Sequence, residues 1–338
     1  MPCYHPLQAI LHPYVHESGE QKRSLIFSRN LRELFYQNKV LPQKTEDGRD
    51  IVAIPCSRCK GCRTERARQW GVRLSHEASL YEKNSFLTLT FSPEGLREMC
   101  PTGSLSKKHM QDFNKRLRER FSDTKIRFFY CGEYGEKNFR PHYHSLVFNW
   151  SPPDLEYWRT VNGNKYYTSN ILSSLWPYGY SVVGEVNFSS AAYCARYCTK
   201  KVSGSMAKRH YSRIHPETGE EVQLLPEFSQ ASLKPGIGFD WIQRYGLTDV
   251  YPEDNVLYLS HSGDLKKGKV PIYYDKWLKK SYPLFFEAIK RKRIEKIQLL
   301  SSDNTYERLL VKEKIFLSSF RKLVRRVEQE DYDGCAAS

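Results

Sequence analysis

Residues 125–148 read KIRFFYCGEYGEKNFRPHYHSLVF, and they decide the fold. Lys125–Cys131 is rich in aromatic residues and reads as a strand. A turn containing Gly and Asn follows, and His142–Phe148 reads as the next strand. Side chains two apart in a strand share a face, so His142 and His144 stand side by side while Tyr143 points the other way. Two imidazoles on one face can bind a divalent metal. Glu133 and Glu136 lie just upstream, and a hairpin would return one of them toward the histidines. One carboxylate added to two imidazoles makes three protein ligands with positions left open, as catalytic metal sites are built. Spacing does not choose between the two glutamates, because the hairpin register is unknown.

Outward from this segment the hydrophobic period alternates between two and three-to-four. Upstream, Phe86–Phe91 (FLTLTF) alternates and reads as a strand. Ser106 can cap a helix whose Met110, Phe113, Leu117 and Phe121 recur at three-four spacing. Downstream, Ser169–Trp176 reads as a short helix closed by Pro177 and Gly179. Ser181–Phe188 reads as a fourth strand, and Ser189 can cap a helix from Ala191 through Lys201. The order β-α-β-β-α-β followed by a helix predicts an α+β fold: a ferredoxin-like, RRM-like antiparallel sheet with flanking helices. An amphipathic helix with Ala67, Trp70, Leu74, Ala78 and Tyr81 on one face precedes it. On the last helix Tyr193 and Tyr197 are one turn apart, with Lys200 and Lys201 following near the same face. A tyrosine hydroxyl needs a metal or cation nearby to act as a nucleophile at neutral pH. A metal can clamp a phosphodiester and a lysine can neutralise its developing charge. Together these residues suit attack on a phosphodiester that leaves a phosphotyrosine link.

Composition points the same way. The 338 residues carry 53 Lys plus Arg against 38 Asp plus Glu, a formal charge of +15, and 14% are aromatic. Basic residues mixed with aromatics favour single-stranded nucleic acid, whose bases stack on rings, over lipid. No apolar run is long enough to span a membrane and no export signal is visible, so a membrane or secreted protein is not expected. The nine cysteines are odd in number and do not read as a disulfide framework. Cys56, Cys59 and Cys62 form C-x2-C-x2-C, which would hold structural Zn2+ given a fourth ligand from Cys3, His5 or His76. Four stretches are expected: an irregular segment over 1–50, a core domain over 50–205, a loop-rich region over 206–270, and a basic helical region over 271–338. The span Leu265–Arg326 alone holds 18 Lys plus Arg and 6 Asp plus Glu, so it reads as a DNA-binding or partner-binding part.

In order and spacing, FLTLTF, PHYHSLVF and YCARYCTKK resemble the three motifs of HUH endonucleases, the initiators of rolling-circle replication. The two-tyrosine form, with PCSRCKGCR, RQWGVRLSHEASL and CGEYGEKNFRPHYH, is similar to the replication-associated proteins of gokushovirus-type microviruses. The resemblance spans about residues 50–205. It implies that His142 and His144 ligate Mg2+ or Mn2+, with Glu133 as third ligand, and that Tyr193 and Tyr197 are alternating nucleophiles. It also implies an enzyme that nicks single-stranded and replicative-form phage DNA in the host bacterial cytoplasm and later rejoins the strand. No G-x4-G-K-[ST] occurs, so a host helicase would unwind the duplex and a host polymerase extend the 3′ end. Competing expectations are a non-enzymatic, zinc-containing binder of single-stranded nucleic acid, and an HUH transposase or relaxase.

Overall fold

Glu133 pairs with His142, and His142 in turn with Thr90, across three adjacent antiparallel strands. The computed structural model that shows this describes the chain except residues 1–2, 38–43, 136–138, 162, 188–189, 196–205, 216–217, 260–263, 300 and 320–338. Two compact units divide the chain: residues 66–287, and residues 1–65 with 288–338. The strands up to the loop after residue 184 are β1 (Leu7–Val15), β2 (Gln21–Phe27), β3 (Ile51–Ile54), β4 (Asn84–Phe91), β5 (Arg127–Tyr134), β6 (Pro141–Phe148), β7 (Glu156–Val161), β8 (Asn164–Thr168) and β9 (Gly179–Gly184). Five more follow: β10 (Ser212–Ile214), β11 (Glu221–Gln223), β12 (Phe228–Ala231), β13 (Val256–Leu259) and β14 (Leu265–Gly268). The helices are α1 (Arg29–Tyr36), α2 (Lys60–Ala78), α3 (Pro93–Met99), α4 (Lys107–Arg120), α5 (Asn170–Leu175) and α6 (190–195). The remaining ones are α7 (Met206–His210), α8 (Phe239–Tyr245), α9 (Ile272–Ser281), α10 (Pro283–Leu299) and α11 (306–319).

In the larger unit seven strands form one antiparallel sheet in the order β12-β5-β6-β4-β9-β8-β7. Its middle, β5-β6-β4-β9, is the strand order 2-3-1-4 of the expected ferredoxin-like core. Alternation sorts the side chains. Leu87, Leu89, Phe91, Tyr130, Tyr143 and Val147 pack with Met110, Phe113 and Leu117 of α4 and Leu172 of α5. Phe86, Phe129, Leu146 and Phe148 on the other face pack with Leu74 of α2 and Ala191, Cys194 and Ala195 of α6. Truncating one such core side chain to Ala costs about 2–5 kcal/mol. Gly132 sits where a Cβ would come within 3.1 Å of Leu105, Tyr143 and Phe228 side chains, so the sheet packs closely beside the residue that precedes Glu133. Arg127 donates from Nε to Glu77, and both are buried. Glu77 also accepts the Gly238 N–H at 2.6 Å, which ties α2, β5 and the start of α8 together. Removing one partner of such a pair leaves a buried charge and costs about 3–5 kcal/mol.

Several local expectations shift. Ser106 caps α4 as expected, its hydroxyl accepting from the Lys108 N–H at 3.3 Å. The fourth strand runs Gly179–Gly184 rather than Ser181–Phe188. Ser189 lies outside the described residues. The cap hydrogen bonds belong to Asn187: its Oδ1 accepts the Ser190 N–H, and its own N–H donates to Ser190 Oγ, both at 2.9 Å. The stretch 206–270, expected to be loop-rich, supplies β12, which pairs with β5 at the sheet edge. Residues 1–50, expected to be irregular, form β1, β2 and α1. Pro13 argues against a strand, yet it pairs with Arg23 on β2. Leu11 donates away from β2, to Asp50, so the position of Pro13's missing N–H is on that same side, beyond the end of β3.

In the smaller unit β2-β1-β3 form an antiparallel sheet. The chain's far end closes on it: Tyr306 of α11 packs on Phe35 and Tyr36, and Phe316 packs on Tyr4. No helix among the described residues is long and apolar enough to cross a membrane.

Candidate active site

The β5–β6 hairpin fixes the register that the sequence leaves open. β5 extends to Tyr134, so Glu133 is a strand residue directly opposite His142 and on the same face as His144. His142 Nε2 lies 2.6 Å and His144 Nε2 3.0 Å from the same oxygen, Glu133 Oε1. The three ligand atoms lie within 4.8 Å of one another. Glu136 lies outside the described residues. Glu133 is 3% and His144 5% exposed. Burial pushes the Glu133 carboxyl upward, but hydrogen bonding to His142 and His144 outweighs it and brings the group to about 2.

The outer nitrogens are oriented by a second layer. His142 Nδ1 is 3.2 Å from the Arg140 carbonyl oxygen, which can only accept, so Nδ1 carries the proton. His144 Nδ1 is 3.1 Å from the Thr88 hydroxyl. With Nδ1 turned to that carbonyl, His142 Nε2 is the nitrogen that faces Glu133 Oε1 and would be the one to ligate a cation held between them. An octahedral ion with bonds of about 2.1 Å sets neighbouring ligands about 3 Å apart, against 2.6 and 3.0 Å for the two histidine–glutamate separations. The residues therefore fit a divalent metal.

Tyr143, between the two histidines, anchors β6. Its hydroxyl accepts from Ser106 N–H at 3.0 Å and donates to the Ser106 carbonyl at 2.9 Å. Burial raises its pKa well above the usual phenol value. On the histidine face, the Tyr193 ring meets His144 edge-on at 5.1 Å between centroids. Phe86 stacks parallel to His144 at 5.6 Å and meets Tyr193 edge-on. The structure thus brings Tyr193 of α6 to the histidine pair. Tyr197, Lys200 and Lys201 lie outside the described residues.

Thr88 and Phe86 are site residues that the sequence reading does not single out. The signal for them is present: FLTLTF alternates, so Phe86, Thr88 and Thr90 share one face. Only strand pairing shows that this face is the histidine face. In the same register row as Glu133, His142 and Thr90 stands Tyr180 of β9, 62% exposed.

A second cluster lies in the smaller unit: Cys3, Cys56, Cys59 and Cys62, whose sulfurs also lie within 4.8 Å of one another. Of the fourth ligands considered, the fold supplies Cys3. His5 pairs with Glu313, and His76 is buried, stacked on Trp241 at 3.5 Å with its Nδ1 2.9 Å from the Tyr274 hydroxyl.

The family described as "Replication-associated protein ORF2/G2P" matches residues 84–202, which contain both the histidine pair and α6. The chain is 34% identical over 256 residues to the replication-associated protein ORF2 of Spiroplasma virus 4, covering 71% of this chain and 73% of that protein. It is 32% identical over 240 residues to the replication-associated protein VP4 of Bdellovibrio phage phiMH2K, covering 68% and 69%. With the replication-associated protein ORF4 of Chlamydia phage 1 it shares 37% identity over 157 residues, 44% of this chain and 38% of that protein. No solved structure matches the chain. By its similarity along more than two thirds of its length, the chain belongs to the family of replication-associated proteins of gokushovirus-type microviruses.

Proposed function

We propose that this protein initiates rolling-circle replication by nicking one DNA strand and later rejoining it. The observation that carries the reading is the convergence of Glu133, His142 and His144, with Tyr193 packed against His144. His142, His144 and Glu133 would hold Mn2+ or Mg2+, which when bound polarises a phosphate oxygen and neutralises its charge. Two imidazoles in the donor set favour the softer Mn2+. Arg140 and Thr88 hold the imidazoles in the orientation that ligation needs.

The Tyr193 hydroxyl oxygen attacks the scissile phosphorus. The phenol loses its proton to solvent, the O–P bond forms, and the P–O3′ bond breaks. The departing 3′ oxygen takes up a proton, which leaves a free 3′-OH and a 5′-phosphotyrosine link. Tyr197 provides the second nucleophile and cuts the regenerated junction after one round. The released 3′-OH then attacks the first link, freeing the tyrosine and closing the circle. Lys200 and Lys201 offset charge on the phosphate. The partners of this cycle are single-stranded and replicative-form phage DNA, with a host helicase and polymerase in the bacterial cytoplasm.

The test is incubation of the purified protein with single-stranded DNA that carries two origin copies in tandem and Mn2+ or Mg2+, followed by denaturing electrophoresis for covalent adduct and released circle. Tyr193→Phe and Tyr197→Phe should each still form a covalent adduct but fail to release a circle. The double variant should form none. An adduct from the double variant would place the nucleophile elsewhere, and circle release by either single variant would replace the pair with one tyrosine.

A further inference from the structure

We propose that Cys3, Cys56, Cys59 and Cys62 bind one structural Zn2+ in a tetrahedral, all-thiolate site that is separate from the replication chemistry. Cys3 comes from the start of the chain, and the other three lie between β3 and the first turn of α2. All four are free thiols, and Cys3 is buried.

Three features of the cluster mark it as built for a metal. First, the sulfurs converge: Cys56 and Cys62 Sγ are 4.0 Å apart, and all four fall within 4.8 Å of one another. A tetrahedral ion with Zn–S bonds of about 2.3 Å sets its sulfurs about 3.8 Å apart. Second, backbone amides point at the sulfurs. Cys56 N–H donates to Cys3 Sγ at 3.2 Å, Cys59 N–H to Cys56 Sγ at 3.3 Å, and Cys62 N–H to Cys59 Sγ at 3.4 Å. Such donors stabilise the negative charge of a thiolate. Third, Ser57 adopts a left-handed φ of 60° inside the first C-x2-C turn. A non-glycine residue there is strained, and the strain is sustained where the surroundings over-determine the turn.

The spacing C-x2-C-x2-C with a remote fourth cysteine also occurs in iron–sulfur proteins. The sulfur separations decide between the two. A four-iron cluster carries each thiolate on a different iron and spreads the sulfurs beyond the compact set seen here. A single ion needs the sulfurs about 3.8 Å apart, close to the 4.0 Å between Cys56 and Cys62. The need for it is physical as well. β1, β2 and β3 make a small sheet with Leu25, Ile26 and Phe27 exposed, and a small sheet is a weak fold without a staple. Joining Cys3 to the Cys56–Cys62 run closes a long loop, which removes much of the conformational freedom of the unfolded chain.

The experiment uses the full chain, desalted and analysed for metals by mass spectrometry. One zinc per chain should remain after EDTA treatment that strips Mg2+ and Mn2+, and a mercurial should release it as four thiols react. Replacement by Co2+ should give the strong visible bands of tetrahedral cobalt together with sulfur-to-cobalt charge transfer. The His142→Ala, His144→Ala double variant should keep the same zinc. Cys3→Ser and Cys59→Ser should each reduce it to near none. If those variants fail to fold, the cobalt spectrum of the unaltered chain decides. Absence of zinc, iron accompanied by acid-labile sulfide, or zinc lost with the histidines and kept without Cys59 would each overturn the assignment.

Discussion

Thr88 sits beside His144 in the strand register, and its hydroxyl lies 3.1 Å from Nδ1. Partners of this kind orient a ligating imidazole, and losing one weakens metal affinity or activity about 10–100-fold. Thr88→Val keeps the shape and removes the hydroxyl, so Mn2+-dependent cleavage should fall by that amount and recover partly at high Mn2+. Thr90→Val, one step along the same strand face, serves as control and should change cleavage little. His76 carries a different residue-scale effect. Burial depresses its pKa to about 4, below the ordinary 6.5. Between pH 6.5 and 4 the unfolded chain takes up a proton that the folded chain refuses, so stability falls as pH falls across that window. The loss attributable to this residue is at most about 3 kcal/mol, from about 1.4 kcal/mol per pH unit. Urea unfolding at pH 7 and pH 4.5 should show the drop. In His76→Leu that part of the pH dependence should vanish, whatever the variant's stability at pH 7.

At the scale of elements, the antiparallel pairing of β5, β6, β4 and β9 turns four separate residues into one row: Glu133, His142, Thr90 and Tyr180. Directly paired residues share a face, so exposed Tyr180 stands on the face that carries the histidines, where the DNA strand of the proposed reaction would lie. A base stacked on an aromatic ring contributes about 1–3 kcal/mol. Tyr180→Ala should therefore weaken binding of a short single-stranded oligonucleotide by about 5- to 150-fold, while Tyr180→Phe should not. Fluorescence anisotropy with the metal omitted measures this without cleavage. Equal affinity for all three proteins would remove Tyr180 from the binding surface. The hairpin also explains why the sequence leaves the third ligand undecided. Glu133 and Glu136 are three residues apart, and only the extension of β5 to Tyr134 gives Glu133 a strand partner.

Over the whole molecule, the span Leu265–Arg326, in which α9, α10 and α11 follow one another, has 18 Lys plus Arg against 6 Asp plus Glu. Tyr274 and Leu278 of α9 are fully buried, so deleting this region would remove core as well as charge. Substitution is the cleaner test. Arg291, Lys292 and Lys296 of α10 are exposed. Replacing all three by Gln should reduce the log–log salt slope of single-strand binding by about 2, at about 0.7 for each phosphate that the protein no longer neutralises. Adduct formation at saturating oligonucleotide should stay as it was. An unchanged slope would assign this charge to something other than DNA.

The periodicities of FLTLTF, PHYHSLVF and the helix from Ser106 determined the α+β class, the chain order of the core elements and the shared face of His142 and His144, because alternation and capping are local properties of the chain. The three-stranded N-terminal sheet was hidden by Pro13, whose cost depends on whether a neighbouring strand needs its missing N–H. Helix α11 packing beside Tyr4 and Phe35 was hidden because those pairs join residues about 300 and 270 positions apart, and no local pattern encodes them. The same holds for Cys3 beside Cys56, for Tyr193 against His144 and for the register that selects Glu133. Each is a long-range or pairing decision, made when burial of both sheet faces forces one alignment of the strands.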